Sequence, residues 1–253
     1  MGFDEIPLTG VTKMRKIDIG QTFGKKEVNS QEREKLVRRV FSKVAPRYDL
    51  MNDAMSFGIH RLWKRKFARL AAAKEGQTIV DLAGGTGDIA MKLVGENRTI
   101  YVADPSMEMM QAGQNRHEIS CIATSGEQLS FADNSIDTVT IAFGVRNMTH
   151  LKEGLIEMHR VLKPGGRMLC LEFSTPHAWL KPFYDLHSYY IIPRLGAWIA
   201  RQPEAYTYLI ESIRRFPDQE EMKKNLEEAG FNKVTYRNLS FGIACIHIGE
   251  KST

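Results

Sequence analysis

From residue 77 onward, short apolar runs alternate with segments of helical spacing. Runs of β-branched and aliphatic residues predict strands over 78–82, 99–103, 120–124, 138–143 and 167–173. Between them, helices are expected over 88–94, 106–113 and 151–162, the last stopped by Lys163-Pro-Gly-Gly166. Alternation of this kind calls for a parallel sheet with helices on both faces. A helix over 218–229 ends at Gly230, and strands over 233–239 and 242–248 follow, joined by so short a turn that they must pair antiparallel. The expected fold class is α/β: a Rossmann-like, mostly parallel seven-stranded sheet closed by an antiparallel C-terminal hairpin.

Upstream the pattern is less regular. Residues 1–30 are polar, lack steady periodicity and read as a flexible lead. From Ser30, taken as an N-cap with Arg33 three residues on, Leu36, Val37, Val40, Phe41 and Val44 fall at helical spacing until Pro46 stops the helix. Residues 48–64 mix polar and apolar side chains without a clean amphipathic stripe, which suits either a segment lining a site or a helical cap over the core. The chain thus divides into the lead, 1–30, and one domain, 31–253, with a helical cap over 31–76 and a helical insertion over 177–214.

Composition changes this picture little. A hydrophobic content of 43% and a charged content of 26% are ordinary for a globular protein, so neither a disordered nor a membrane-embedded class is indicated. The first residues start acidic and lack an apolar run, so no secretory signal is expected, and the longest apolar stretch is broken by Pro193 and Arg194. Cys121, Cys170 and Cys245 sit singly in apolar runs; buried thiols in a reducing cytosol are expected, with no metal site or disulfide. The net charge of +5 is uneven, with ten Lys/Arg against three acids between Arg33 and Lys66. Such a face attracts phosphate, nucleic acid or anionic lipid, or is a solvated helix surface.

The candidate chemistry lies where the first two strands end. Ile79-Val-Asp-Leu-Ala-Gly-Gly-Thr-Gly87 closes an apolar run on Asp81 and opens a glycine loop, and Asp104 ends the next strand. Glycines let the backbone approach a ligand, and an acid at the end of the second strand can accept hydrogen bonds from both ribose hydroxyls. Gly85-Thr-Gly-Asp-Ile-Ala90 also fits the dinucleotide pattern G-x-G-x-x-G/A. However, a pyrophosphate would be poorly served by Asp81 and Asp88 flanking its loop. The D-x-x-G-G-x-G arrangement resembles instead the S-adenosylmethionine (SAM) site of class I methyltransferases, where Asp81 would face the cationic amino-acid part of the cofactor.

The resemblance then becomes specific. Tyr48-Asp-Leu-Met-Asn-Asp-Ala-Met-Ser-Phe-Gly-Ile-His-Arg-Leu-Trp63-Lys, Leu82-Ala-Gly-Gly-Thr-Gly-Asp88, Phe143-Gly-Val-Arg-Asn147 and Arg160-Val-Leu-Lys-Pro-Gly-Gly-Arg-Met-Leu-Cys-Leu-Glu-Phe-Ser174 are similar to signatures of the ubiquinone/menaquinone biosynthesis C-methyltransferases. Ile192-Pro-Arg-Leu-Gly196 and Tyr208-Leu-Ile-Glu-Ser-Ile-Arg214 fit as well, and the likeness runs from about Phe23 to the end. It implies methyl transfer from SAM to a ring carbon of a polyprenylated quinol. It also implies SAM contacts from Thr86, Asp104 and the Ser125-Gly126 pair, beside Asp81, Gly84, Gly85 and Gly87 of the loop. Ala142 stands where the family often has Ser, withdrawing one side-chain hydrogen bond to the cofactor.

An aromatic carbon becomes a good nucleophile when an adjacent phenol loses its proton, so the reduced quinol is the expected acceptor, and a base or water relay must stand near it. Arg146 and Asn147, just past the fourth strand, lie at the sheet edge where open α/β folds bind substrates. Arg146 would lower the phenol pKa through water, since its own pKa above 12 suits it poorly as a base; Asn147 would orient the ring. Tyr48 and His60 are secondary catalytic candidates, and His159 reads as packing. Trp179, Phe183, Tyr184, Tyr189, Tyr190 and Trp198, among Lys181, Arg194 and Arg201, suit a membrane interface, a prenyl-chain tunnel or a packed lid. The expected setting is cytoplasmic, with peripheral contact on the inner face of the membrane an open alternative. Benzoquinol and naphthoquinol acceptors stay open, as do a homodimer and contact with other quinone-biosynthesis proteins. The rival readings are another acceptor on the same fold, a non-catalytic SAM-fold subunit of a biosynthetic complex and, more remotely, a nicotinamide dehydrogenase. No Asn/Asp-Pro-Pro-aromatic run follows the fourth strand, so a nucleic-acid partner is not expected.

Overall fold

The computed structural model describes residues 19–24, 26–45, 52–53, 56–71, 73–114, 119–186 and 203–253. A short 3-10 turn, Ile19–Gln21, leads into a hairpin of β1 (Thr22–Phe23) and β2 (Lys26–Glu27), followed by α1 (Ser30–Val44) and α2 (Ile59–Ala71). The alternating body is β3 (Thr78–Leu82), α3 (Asp88–Leu93), β4 (Thr99–Asp104), α4 (Met107–Gln114), β5 (Ser120–Ala123), β6 (Ile136–Ala142), α5 (Leu151–Val161) and β7 (Leu162–Phe173). Then come α6 (Lys181–Leu186), α7 (Pro203–Arg215), α8 (Gln219–Glu228), β8 (Asn232–Leu239) and β9 (Ala244–Glu250).

The seven-stranded sheet has the order β5-β4-β3-β6-β7-β9-β8. The pairs β3/β4, β3/β6, β4/β5 and β6/β7 are parallel; β9 runs antiparallel to both β7 and β8. Because β3 is followed by β4 and β5 on one side and β6 on the other, a crevice opens at its carboxyl end, the place where such sheets bind ligands. The two-residue period puts Val80 and Leu82 on one face, in a core with Met158, Met168, Met222 and Leu226. Ile79 faces the other way, into a cluster with Trp63 and Phe67 of α2, Ile89, Leu169 and Ile246. Asp81 shares the face of Ile79, and that alternation is what carries a carboxylate into the crevice.

Four details depart from the sequence reading. Asn29, not Ser30, caps α1: its side chain accepts from the Glu32 backbone N–H at 2.9 Å, because an extended Asn29 aims its amide oxygen at the first helical turn. Residues 19–27, read as part of a featureless lead, carry the turn and hairpin, and Phe23 stacks on Tyr208 with ring centroids 4.9 Å apart. Two-residue strands carry no period that a sequence could show. α5 stops before Lys163–Gly166 as expected, but that segment already belongs to β7, which begins at Leu162 and not at residue 167, with Gly165 at φ +75° and the register shifting between the Ile136 and Thr138 pairings. Finally, α2 is strongly amphipathic, burying His60, Trp63, Lys64, Phe67 and Ala71. Its stripe escapes notice because two of its five positions are His and Lys.

Candidate functional site

A cavity of about 310 Å³ opens at the carboxyl edge of β3, β4 and β6 and is bounded on its far side by α1. Two non-glycine residues at that edge, Ala83 (φ +48°) and Phe143 (φ +58°), sit in the left-handed region, a strained conformation often found around functional sites. The glycine loop lies beneath. A Cβ on Gly84 would stand 2.8 Å from the Asp81 carbonyl oxygen, so only a bare backbone passes there. Gly85, at φ +54°, turns its N–H to Asp104 Oδ2 at 2.9 Å.

Each acid is held by the local fold. Asp104 accepts from the Gly85 N–H on one oxygen and from the Ser106 N–H, at 2.8 Å, on the other. Burial raises its pKa while these two donors pull it down. Asp81 stands across from Thr140 in the β3/β6 register and accepts its hydroxyl at 3.0 Å, with the Ala90 N–H donating to the second oxygen at 3.0 Å. Its pKa is pushed up to about 7, first by burial, against Thr140, Ala90 and Lys64, which all lower it. Lys64 reaches the cavity from α2 and pairs with Asp88 Oδ2 at 2.9 Å, while Lys92 binds the other Asp88 oxygen.

Of the residues expected from sequence, Asp81, Gly84, Gly85, Thr86, Asp104, Ser125, Gly126, Ala142 and Asn147 line this one cavity. Gly87 stands just outside the lining, as the left-handed N-cap of α3. Beyond Ser125-Gly126, Glu127 accepts from the Ser125 hydroxyl at 2.5 Å and the Thr149 N–H at 2.7 Å, tying the β5 loop to the start of α5. Asn147 has its Oδ1 held by the Tyr208 hydroxyl at 2.9 Å. Arg146 does not line the cavity. It is 3% exposed, bonded to Glu172 Oε1 at 2.7 Å and to the Phe143 carbonyl at 2.5 Å, with its guanidinium 5.5 Å from the Phe173 ring centroid. Its Nε has no partner among the described residues. Burial raises the Glu172 pKa, and the Arg146 guanidinium opposes that rise. His60 is also away from the cavity, its Nδ1 2.8 Å from the Ser56 hydroxyl, and burial followed by the Lys64 charge lowers its pKa. Tyr48, Tyr189, Tyr190, Pro193, Arg194, Trp198 and Arg201 lie outside the described residues.

Three charged groups around the site were not anticipated. Lys64 was hidden in the irregular segment and Glu172 inside an apolar strand. Arg33, read as a poor capping residue, is 1% exposed and spans the interior. It donates to the carbonyls of Thr22 (3.1 Å), Asn147 (2.9 Å) and Arg146 (3.3 Å) and to the Thr149 hydroxyl (3.2 Å). Its helical position, three residues after Ser30, gives no hint of this role.

The profile of the ubiE/COQ5 methyltransferase family matches residues 26–251. The ubiquinone/menaquinone biosynthesis C-methyltransferase UbiE of Rubrivivax gelatinosus is 59% identical over 236 residues, covering 92% of this chain and 94% of that protein. Its namesake from Shewanella frigidimarina is 44% identical over 240 residues, covering 90% and 96%. Among solved structures, a Thermotoga maritima SAM-dependent methyltransferase superposes with a TM-score of 0.62 at 18% identity, covering 85% of this chain and 99% of that one. The [4+2]-cyclase SpnF gives 0.63 at 15% identity, covering 86% and 95%. At such identities these two carry the fold alone, and a cyclase among them illustrates that fold does not dictate reaction.

Proposed function

Because the chain belongs to the ubiE/COQ5 methyltransferase family, we propose that it methylates a ring carbon of a polyprenylated benzoquinol or demethylmenaquinol in ubiquinone/menaquinone biosynthesis, with SAM as methyl donor. The observation that carries this reading is the cavity at the carboxyl edge of the sheet, with Asp104 and Asp81 both in its lining. The donor set fits SAM: a carboxylate held by two backbone donors for a ribose, a loop with no Cβ at Gly84, and a buried acid suited to an ammonium. When bound, SAM supplies an electrophilic methyl group. Asp104 would accept the ribose hydroxyls and Asp81 would face the amino-acid end. Thr86, Ser125 and Gly126 line the remaining wall, where Ala142 offers no side-chain donor.

On the acceptor side, the phenol must lose its proton before its ortho carbon can attack. Glu172 and the Phe143 carbonyl hold the Arg146 guanidinium behind the cavity lining, so its charge would favour the phenolate from behind the turn that carries Asn147, through a water relay and without direct contact. Asn147, fixed by Tyr208, would orient the ring. A greasy acceptor suits the outer surface, where Trp179 (58% exposed), Phe183 (68%), Leu186 and Phe241 stand exposed, Trp179 lying edge-on to Phe241 at 5.2 Å. No helix among the described residues is long and apolar enough to cross a membrane, so contact with a bilayer would be peripheral. Co-sedimentation with anionic liposomes at low salt is expected, and its absence would remove the membrane part of the reading.

The test is methyl transfer from labelled SAM to short-chain demethylated benzoquinol and naphthoquinol, each reduced and oxidised. Product is expected from the reduced rings alone. In Arg146→Ala the rate should fall about a hundredfold with SAM binding retained. No product from either quinol, despite tight SAM binding, would redirect the assignment to another acceptor.

A further inference from the structure

Lys64 is a buried cation that the proposed chemistry leaves without a task. Its side chain is 7% exposed, yet it lines the cavity. A lysine withdrawn from water to this extent needs compensation. Asp88, which pairs with it at the cavity wall, also binds Lys92. The Lys64 charge also acts on Asp53 and on Asp81, and of these two acids Asp81 lines the cavity. Asp104 is different: burial and two backbone donors govern it, and Lys64 does not. The positive charge therefore belongs to the Asp81 side of the cavity. His60 adds no lasting charge there, since burial and Lys64 itself favour its neutral ring. From α1, Glu34 and Arg38 also line the cavity, but they pair with each other at 3.6 Å and are both more than half exposed.

A cavity wall that presents both a carboxylate and a buried cation matches a zwitterion. We propose that Lys64 binds the α-carboxylate of the methionine portion of SAM, while Asp81 takes the α-ammonium. This rests on the SAM reading above and adds a role to α2: the cap helix supplies a ligand-binding group as well as core. Asp88 then holds the Lys64 ammonium at the cavity wall in the free protein, and the incoming carboxylate shares it.

The experiment compares binding of SAM and of decarboxylated SAM, which keeps the sulfonium and the amine and lacks the carboxylate, by calorimetry with wild type, Lys64→Met and Arg38→Gln. Wild type should bind SAM about ten- to a hundredfold more tightly than the decarboxylated analogue, the range expected of one charge-assisted hydrogen bond. Lys64→Met should lose most of that preference by weakening SAM alone, and Arg38→Gln should keep it. Equal wild-type affinities for the two compounds would overturn the assignment without any variant having to fold. So would a Lys64→Met protein that still discriminates, or discrimination that disappears in Arg38→Gln. Failure of wild type to bind either compound would instead remove the SAM reading on which the proposal stands.

Discussion

At the scale of single residues, the site is governed by what burial does to charge. Asp81 carries its carboxyl to about 7 because the interior disfavours its ionised form more than Thr140, Ala90 and Lys64 favour it. The sign follows. A carboxyl raised from 3.8 to about 7 favours the folded state while protonated, and that contribution is lost as pH climbs through 7. A bound ammonium prefers the ionised form, so SAM affinity should rise about tenfold from pH 6 to pH 8. Calorimetric titration across that range checks this, and Asp81→Asn should flatten the profile. Glu172 poses the opposite case, a buried acid whose cation is in contact. Glu172→Gln would strand Arg146 without its counter-charge, at a cost of about 3 kcal/mol and a thermal midpoint lower by about 10 °C. A midpoint within a degree of wild type would show that Arg146 finds compensation elsewhere.

At the scale of elements, α1 and α2 act as struts between the amino-terminal part and the sheet edge. Arg33 ties α1 to the segment after β6, reaching across 113 residues of sequence to the Arg146 carbonyl. Tyr208 of α7 ties the same segment through Asn147, and Phe23 of β1 braces Tyr208 in turn. Three elements distant in sequence thus hold the one loop that carries both acceptor-side candidates. Arg33→Met keeps the volume and removes four hydrogen bonds, so stability should fall by about 3 kcal/mol. The same variant should lower kcat while leaving the SAM dissociation constant within about twofold, since Arg33 does not line the cavity. Urea unfolding and steady-state kinetics separate the two effects, and an unchanged kcat would make Arg33 a purely structural strut.

At the scale of the molecule, the cavity lies between α1 and the carboxyl edge of the sheet, with Lys64 of α2 in its lining. A ligand held from β3, β4 and α2 at once adds its binding free energy to the folded state alone. SAM at a hundredfold excess over its dissociation constant should stabilise by about 2.7 kcal/mol, or about 5–10 °C in thermal midpoint for a chain of this size. Asp104→Ala should cancel most of that gain at the same SAM concentration. A midpoint insensitive to SAM would contradict binding at this cavity.

The strand at 78–82, the glycine loop, Asp81 and Asp104 were legible because their signals are local: a two-residue period, a turn that only glycine permits, and an acid at the end of each run. The parallel body and the closing hairpin followed from the order of elements and the shortness of one turn. Other features were illegible for a physical reason: they consist of pairings across long stretches of chain. Lys64 and His60 broke the apolar stripe of α2, because a polar side chain at a buried position reads as exposed until its partners are known. Arg33 looked like a surface residue beside a helix start, since nothing nearby in sequence reveals four acceptors waiting in the interior. Glu172 received no role within its apolar strand, and Arg146 was placed at the substrate edge of the sheet when its guanidinium is clasped against Glu172. Local chemistry along the chain determined the sheet and the loop that would hold a nucleoside. Tertiary packing alone decided which buried charges face each other across it, because the free energy of a buried charge depends on its neighbours in space.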